Sequence, residues 1–153
     1  MAVMTRWLDS DEQRTWRAYL TASRALMDTL DRELQRDAGM PHAYYEILVR
    51  LSEAPDRQLR MSDLAEVTGS SRSRLSHAVA RLESAGWVRR EECPTDRRGQ
   101  VALLTDAGFA TLAAAAPGHV EEVRRHLFDA LSPAQVDQLR RISETLAEHL
   151  TGS

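Results

Sequence analysis

Residues 70–81 carry a run of hydrogen-bonding side chains that contains no carboxylate. Its polar members are Ser70, Ser71, Arg72, Ser73, Arg74, Ser76, His77 and Arg81. Hydroxyl, imidazole and guanidinium groups donate hydrogen bonds to phosphate oxygens and to the edges of bases. Ser70 and Ser71, at the start of a predicted helix, could bind phosphate together with its backbone N–H groups. Arg74 and His77 are best placed to read base edges, although an ordinary solvated helix face is the alternative.

Two further arginines, Arg97 and Arg98, lie between Asp96 and Gly99 in a polar, turn-rich segment. Residues 93–99 separate two β-prone runs, so we expect a hairpin loop with both guanidinium groups at its tip. An arginine on such a finger can enter a narrow minor groove of DNA, where the negative potential is strongest. We expect Asp96 to hold an arginine in position rather than to contact DNA.

Arg89 and Arg90 lie on the first of these β-prone runs and point to opposite faces of it. One of them could reach a phosphate while the other pairs with a carboxylate, and the sequence leaves open which does which. The candidate carboxylates are Glu91, Glu92 and Asp96. Both arginines are therefore candidate DNA-binding residues.

The net charge of −3 is unevenly distributed along the 153 residues. Residues 70–100 contain seven arginines and four carboxylates, a net charge of +3, whereas each of the other parts of the chain is neutral or negative. All 20 basic residues are arginine, which suits bidentate contacts with phosphate and guanine, although codon bias in a GC-rich genome is the more common cause. A basic segment in an acidic chain indicates a local site for a polyanion.

The polar run belongs to a predicted helix over residues 72–85, whose other face is apolar. That face consists of Leu75, Ala78, Val79 and Leu82. It can pack on Leu64 and Val67 of a shorter helix, residues 62–69, which begins with a serine cap and ends at a glycine. A short extended piece, 59–61, precedes this pair, and β-prone runs at 87–92 and 100–104 follow it. The pattern predicts a helix-turn-helix followed by a β wing.

Amphipathic helices precede this middle part. Ser10 to Gln13 has the composition of a capping box, and an apolar stripe then runs from Trp16 to Leu34. Gly39 and Pro41 should end this first helix, and a second one is predicted over residues 42–54.

Further helices follow the wing. One should begin at Asp106, be kinked or interrupted at Pro117 and resume over 120–131. A capping box at Ser132 and Gln135 should begin the last helix. The predicted fold is mainly α with a small β wing. Residues 42–108 would form a DNA-binding lobe, and the helices of 10–38 and 109–151 would form a dimerisation lobe around a twofold axis.

Other kinds of chemistry have little support in the sequence. We find no Ser-His-Asp arrangement, no glycine-rich phosphate loop and no paired catalytic carboxylates, so we expect neither an enzyme nor a bound cofactor. Cys93 is the only cysteine, which excludes intramolecular disulfides and CxxC sites. His119, Glu122 and His126 share a helical face that could donate metal ligands, but a solvated face is the more common meaning and we expect no metal.

The sequence also lacks an N-terminal signal segment and an apolar stretch long enough to span a membrane. We therefore expect a cytoplasmic protein without a membrane partner.

Several motifs occur here in a familiar order and spacing. They are Leu64-Ala65, the serine-rich turn, Val79-x-x-Leu82-Glu83-x-x-Gly86, Val88-Arg89-Arg90, and Asp96-Arg97-Arg98-Gly99 followed by Leu104-Thr105-x-x-Gly108. Over about residues 45–108 the chain resembles the multiple-antibiotic-resistance regulator (MarR) family. The resemblance implies a winged helix-turn-helix homodimer that binds a pseudo-palindromic operator in double-stranded DNA, usually as a transcriptional repressor. It places the recognition helix at 72–81 and the minor-groove arginine of the wing at Arg98.

The same resemblance implies release by a small phenolic or other lipophilic effector, bound between the two lobes. The candidate pocket residues are Trp16, Tyr19, His42 and Tyr45. Core packing with a satisfied polar tip is the alternative for each of them. Cys93 lies at the base of the wing, whereas the family's peroxide sensors carry a cysteine near the start of the first helix, so we do not expect peroxide sensing by that route.

A winged helix can also serve as a protein-protein interaction module without specific DNA binding, because fold alone does not establish function. Such a module has no need for a carboxylate-free helix face or for arginines on its wing. The distribution of charge therefore favours DNA as the partner.

Overall fold

The computed structural model describes residues 4–152, apart from the side chain of Arg97. Its elements in chain order are α1 (Ser10–Ala38), α2 (His42–Glu53), β1 (Gln58–Arg60), α3 (Met61–Thr68), α4 (Arg72–Ser84), β2 (Val88–Cys93), β3 (Asp96–Leu104), α5 (Asp106–Val123) and α6 (Pro133–Thr151). A 3-10 turn, Pro55–Arg57, precedes β1, and a π-helical turn, Arg124–Phe128, follows α5. The prediction of a mainly α fold with a helix-turn-helix and a small β wing is confirmed.

The chain packs as two compact units. One consists of residues 4–30 and 123–152, and the other is Asp31–Glu122. The second unit contains α2 to α4 and the whole sheet, and therefore all the predicted DNA-binding residues.

Aliphatic side chains form the core of Asp31–Glu122. Those that are at most 2% exposed include Leu48, Leu51, Leu64, Leu75, Val79, Leu82 and Ala102. The apolar face predicted for α4 is confirmed, but the prediction that Val67 packs against it is wrong, because that side chain is 44% exposed. The buried face of α3 is centred between Leu64 and Ala65, and this turns Val67 towards solvent.

The sheet has three antiparallel strands in the order β1-β3-β2. β1 pairs with β3 through Arg60 opposite Val101, so the short extended piece before α3 is an edge strand of the wing sheet. This pairing brings the start of α3 next to the wing.

The hairpin of the wing is tighter than expected. Strand pairing continues to Cys93, which lies opposite Asp96, so only Pro94 and Thr95 form the turn. The prediction that Asp96 to Gly99 lie in a loop is wrong: they belong to β3. The register shifts between Glu92 and Cys93, and a bulge of this kind absorbs extra residues in one strand without ending the pairing.

The first helix is capped one residue earlier than predicted. Glu12 N–H donates to Asp9 Oδ1 at 2.8 Å, and Asp9 N–H donates to Glu12 Oε2 at 3.0 Å. This reciprocal pair replaces the expected box between Ser10 and Gln13. Two carboxylates accept more strongly than a hydroxyl and an amide, and they also suit the positive end of the helix dipole.

The caps of two other helices give one correction and one confirmation. Ser62 was expected to cap α3, but this helix begins at Met61 and its cap residue, Arg60, makes no side-chain capping bond. The pairing of β1 with β3 fixes the chain direction at this point without a serine. The capping box of Ser132 and Gln135 at the start of α6 is confirmed.

A kink or an interruption was predicted at Pro117, and the interruption is wrong, because α5 continues through this residue. Proline removes one backbone donor, but residues 113–116 are all alanine, the best helix former, and they offset that loss. The helical geometry changes only at Arg124–Phe128.

Thr105 and Gly108 join the wing to α5. Thr105 Oγ1 accepts from Gly108 N–H at 3.0 Å and donates to the carbonyl oxygen of Gly86 at 2.7 Å, while Thr105 N–H donates to the carbonyl oxygen of Trp87. A Cβ atom added at Gly108 would meet the Trp87 carbonyl oxygen at 2.1 Å. The spacing of this motif therefore allows the helix backbone to lie directly against the end of the α4–β2 connection.

The unit of residues 4–30 and 123–152 has almost no core of its own. Leu30 is the one buried apolar side chain among its described residues, and α6 buries none. Large apolar side chains remain exposed, including Ile142 at 59% and Leu150 at 74%. The described residues contain no helix with an apolar stretch of membrane-spanning length.

Candidate nucleic-acid interface

The turn between α3 and α4 presents the start of α4 to solvent. Gly69 ends α3 in the left-handed conformation, with φ of 62°, which glycine adopts at little cost. Ser71 then caps α4, its Oγ accepting from Arg74 N–H at 3.2 Å. The N–H groups of Arg72 and Ser73 have no partner within the helix and are available to an anion.

The polar residues of 70–81 predicted for DNA contact lie on the exposed face of α4 and in the turn before it. Those that are exposed are Ser71, Arg72, Ser73, Arg74, Ser76, His77 and Arg81, and Ser70 is half-buried. The hydroxyl oxygens of Ser70 and Thr68 are 3.2 Å apart, so Ser70 is partly engaged within the turn. The guanidinium groups of Arg72, Arg74 and Arg81 form no ion pair with a described carboxylate.

Arg89 and Arg90 both pair with carboxylates. Arg89 Nε donates to Glu91 Oε1 at 2.9 Å in an exposed pair, whereas Arg90 Nε donates to Glu83 Oε1 at 2.6 Å between two side chains that are 25% and 32% exposed. Arg90 Nη1 also lies 3.4 Å from Ser76 Oγ. Arg90 therefore links β2 to α4. The exposed ion pair between Arg89 and Glu91 is weak, so Arg89 can leave Glu91 and bind a phosphate instead.

Glu83 was not among the carboxylates proposed as partners from the sequence. It lies on α4, whereas the candidates considered there were neighbours within the wing. The packing of β2 against α4 creates this pair between residues seven positions apart.

The turn of the wing is held by side chains on both of its strands. Asp96 Oδ1 accepts from the backbone N–H of Arg98 at 3.0 Å, so this carboxylate supports the backbone of the wing. Arg98 is exposed and forms no ion pair with a described carboxylate, and the side chain of Arg97 lies outside the described residues. Cys93 Sγ lies 3.4 Å from Thr95 Oγ1, and this hydrogen bond holds the pKa of the buried thiol below its ordinary value.

A cleft of about 530 Å³ separates the start of α4 from the wing. Its charged and hydroxyl side chains include Arg60, Ser62, Arg72, Glu92, Asp96 and Arg98. The structure thus brings Arg72 and Arg98, both predicted from the sequence, to opposite sides of one groove. Arg60 and Ser62 were missed, because local periodicity does not reveal that β1 joins the wing sheet.

The proposed effector residues make ring contacts on α1 and on α2. On α1 the rings of Trp16 and Tyr19 stack at a centroid distance of 6.4 Å. On α2 the centroids of His42 and Tyr45 are 6.5 Å apart, and the ring of His119 lies 4.5 Å from Tyr45 and 5.4 Å from His42. His119 therefore packs against α2.

The rings on α2 border an open cleft of about 320 Å³, lined in part by His42, Tyr45 and Val49. Burial raises the pKa of the Tyr45 hydroxyl. The pKa of His119 is lowered, mainly by burial and to a smaller extent by the charge of His42.

Comparison with known proteins agrees with this architecture. The MarR family model matches residues 38–99. The structure of Sco3205, a MarR family transcriptional regulator from Streptomyces coelicolor solved in complex with DNA, is 56% identical and superposes with a TM-score of 0.93, covering 96% of this chain and 92% of that one. AbsC, a MarR family transcriptional regulator from the same organism, is 47% identical with a TM-score of 0.91, covering 97% and 100%.

The transcriptional repressor MprA of Escherichia coli strain K12 is 30% identical over 112 residues, which are 73% of this chain. The match spans only 63% of MprA. The near-complete coverage by the two Streptomyces regulators, together with the helix-turn-helix and wing described above, shows that this chain belongs to the MarR family of transcriptional regulators.

Proposed function

We propose that this chain is a sequence-specific DNA-binding regulator that represses transcription by occupying a pseudo-palindromic operator as a homodimer. The observation that carries the proposal is the exposed, carboxylate-free face of α4, which shares a cleft with the exposed Arg98 of the wing. The DNA in the crystal of Sco3205, which is 56% identical, supports the same partner. Preference for the duplex upstream of the gene and its neighbours over random duplex of equal length tests the proposal.

In this proposal α4 enters the major groove at its N-terminal end, the usual geometry of a helix-turn-helix. Arg74 and His77 read base edges, with Ser73, Ser76 and Arg81 beside them, while Ser70, Ser71 and Arg72 bind phosphates. Arg98 enters the adjacent minor groove, where its charge is attracted by the narrow groove's potential. Arg90 and Asp96 position the helix and the wing, and Arg89 and Arg97 add charge at the margins.

We assign DNA binding to residues 42–108 and dimerisation to the helices of 10–38 and 109–151. The exposed apolar residues of α6 support the second assignment. Leu139, Ile142, Leu146 and Leu150 recur at three- and four-residue spacing on one helix face. A face of this kind, on a unit with so little core of its own, is stabilised by burial against a second copy.

Replacing Ile142 by aspartate is expected to shift the monomer–dimer equilibrium towards monomer by about 100-fold or more, because each dimer would bury two uncompensated carboxylates. Sedimentation equilibrium measures the shift. Ser143→Asp adds the same charge on the neighbouring face and serves as the control. A wild-type protein that is monomeric at micromolar concentration would contradict the dimer, and equal dissociation constants for the two variants would exclude α6 from its interface.

The final element of the proposal is a small phenolic or lipophilic effector that weakens operator binding. The cleft beside His42 and Tyr45 lies within the size range of small-molecule sites, and its aromatic and imidazole groups suit a phenol. By linkage, a ligand can do this only if it binds the DNA-free conformation more tightly.

A hydroxybenzoate at millimolar concentration is therefore expected to weaken operator binding of the wild type about tenfold, and much less in His42→Leu. Titration by fluorescence anisotropy measures both, with His149→Leu, a change at an exposed histidine of α6, as the control. Equal sensitivity of His42→Leu and the wild type would remove this cleft from the proposal.

A further inference from the structure

Arg60 is a third arginine in the cleft between α4 and the wing, and it was not among the residues predicted for DNA contact. Its Nη2 donates to Thr95 Oγ1, in the turn of the hairpin, at 2.8 Å. The side chain is exposed and forms no ion pair with a described carboxylate. A guanidinium group has five N–H donors, so this single bond leaves most of its donors available to a ligand.

We infer that Arg60 binds one backbone phosphate of the duplex in each protomer, and that its bond to Thr95 holds the guanidinium group in place for this contact. The inference rests on the proposed DNA binding and adds a contact from β1 to those of α4 and the wing. The ligand it requires is a phosphodiester oxygen, which accepts charge-assisted hydrogen bonds from arginine.

The charge balance of the cleft favours an anion. Arg60, Arg72 and Arg98 face two carboxylates, Glu92 and Asp96. Asp96 accepts a hydrogen bond from the backbone N–H of Arg98 but keeps its negative charge, so three guanidinium groups face two carboxylates. The cleft therefore keeps a net positive charge, to which the N-terminal N–H groups of α4 add a positive potential.

The backbone of β1 holds Arg60 at a fixed position. Arg60 lies opposite Val101 in the sheet. Just before the strand, Asp56 and Arg57 both adopt left-handed backbone conformations, with φ of 55° and 54°. Such conformations are unfavourable for these residues and persist only where surrounding contacts hold them.

The side chain of Arg57 supplies those contacts. Its guanidinium carbon lies 3.8 Å from the centre of the Phe109 ring, and Nη1 lies 3.8 Å from Asp106 Oδ1. Both partners belong to the first turn of α5, so β1 is attached to that helix on one side and to β3 on the other. The Arg60 side chain extends from this fixed strand and is bonded to Thr95, so its guanidinium group loses little entropy when a phosphate binds.

The test compares wild type, Arg60→Gln, Arg60→Lys and Thr95→Val in binding to operator and to random duplex across a salt series. Each phosphate neutralised contributes about 0.9 to the slope of log affinity against log salt, so Arg60→Gln should flatten the slope by about 2 per dimer. It should also weaken binding to both duplexes by a similar factor, about tenfold or more. Arg60→Lys should have the slope of the wild type. Thr95→Val should weaken binding without changing the slope.

Two controls complete the design. Arg50→Gln removes an arginine of α2 that lies outside the cleft and should leave the slope unchanged. Glu92→Gln removes one of the two opposing carboxylates and should tighten binding severalfold. An unchanged slope in Arg60→Gln, with wild type bound normally, overturns the inference alone. Absence of duplex binding by the wild type overturns the proposed function as well.

Discussion

Replacing Gly108 by alanine is expected to lower the free energy of unfolding by about 3 kcal/mol, at the upper end of the usual cost of overpacking. The added Cβ would lie 2.1 Å from the carbonyl oxygen of Trp87 and 2.8 Å from Leu104 Cδ1. The first of these is a backbone atom held by its bond from Thr105 N–H, so it cannot move aside as a flexible side chain would. Relief of the clash requires α5 to move away from the wing. Urea unfolding followed by circular dichroism measures the loss.

Gly118 provides a matched control in the same helix. A Cβ added there would meet nothing within 4 Å, so Gly118→Ala should stabilise the protein by about 0.5–1 kcal/mol through helix propensity. Equal stability of Gly108→Ala and wild type would show that α5 packs less closely against the residues before β2 than the distances at Gly108 indicate. A loss of the same size in both variants would point to a general effect on α5.

Arg74→Ala is expected to weaken operator binding by about 100-fold or more while changing affinity for random duplex only severalfold. A bidentate contact between arginine and a guanine edge contributes about 1–3 kcal/mol, and a dimer makes the contact twice. The side chain is exposed and unpaired with any described carboxylate, and the Ser71 cap uses the backbone N–H of residue 74, so alanine leaves the helix start intact. Fluorescence anisotropy with labelled duplexes measures both affinities.

The matched control is Arg50→Ala, which removes an exposed arginine of α2 that pairs with Glu46. It should leave both affinities within about twofold of wild type. If Arg74→Ala weakened operator and random duplex by the same factor, residue 74 would contact phosphate and base reading would lie elsewhere on α4.

The recognition helix could be predicted from the sequence because its determinants are local. Ser71, Gly69 and the spacing of Leu75, Val79 and Leu82 specify where α4 begins and which face it buries. The polar residues must then occupy the other face. The exposure of the predicted DNA-binding residues of α4 follows directly from that periodicity.

Contacts between elements could not be predicted in the same way. The Arg90–Glu83 pair depends on how β2 packs against α4, and the bond from Arg60 to Thr95 joins residues 35 positions apart. Asp96 was expected in a loop, but its place in β3 depends on a bulge opposite Glu92, which no turn residue signals. Each of these features is set by tertiary pairing rather than by the local pattern.

The most direct test is the binding of the wild-type protein to duplex from upstream of its own gene and its neighbours, compared with random duplex of equal length, between about 50 and 200 mM salt. We expect at least about 1,000-fold preference for one upstream duplex, with a slope of log affinity against log salt of about −4 or steeper, as for four or more neutralised phosphates. Equal affinity for every duplex, or affinity independent of salt, would contradict DNA recognition by α4 and the wing and would favour a module for protein contacts.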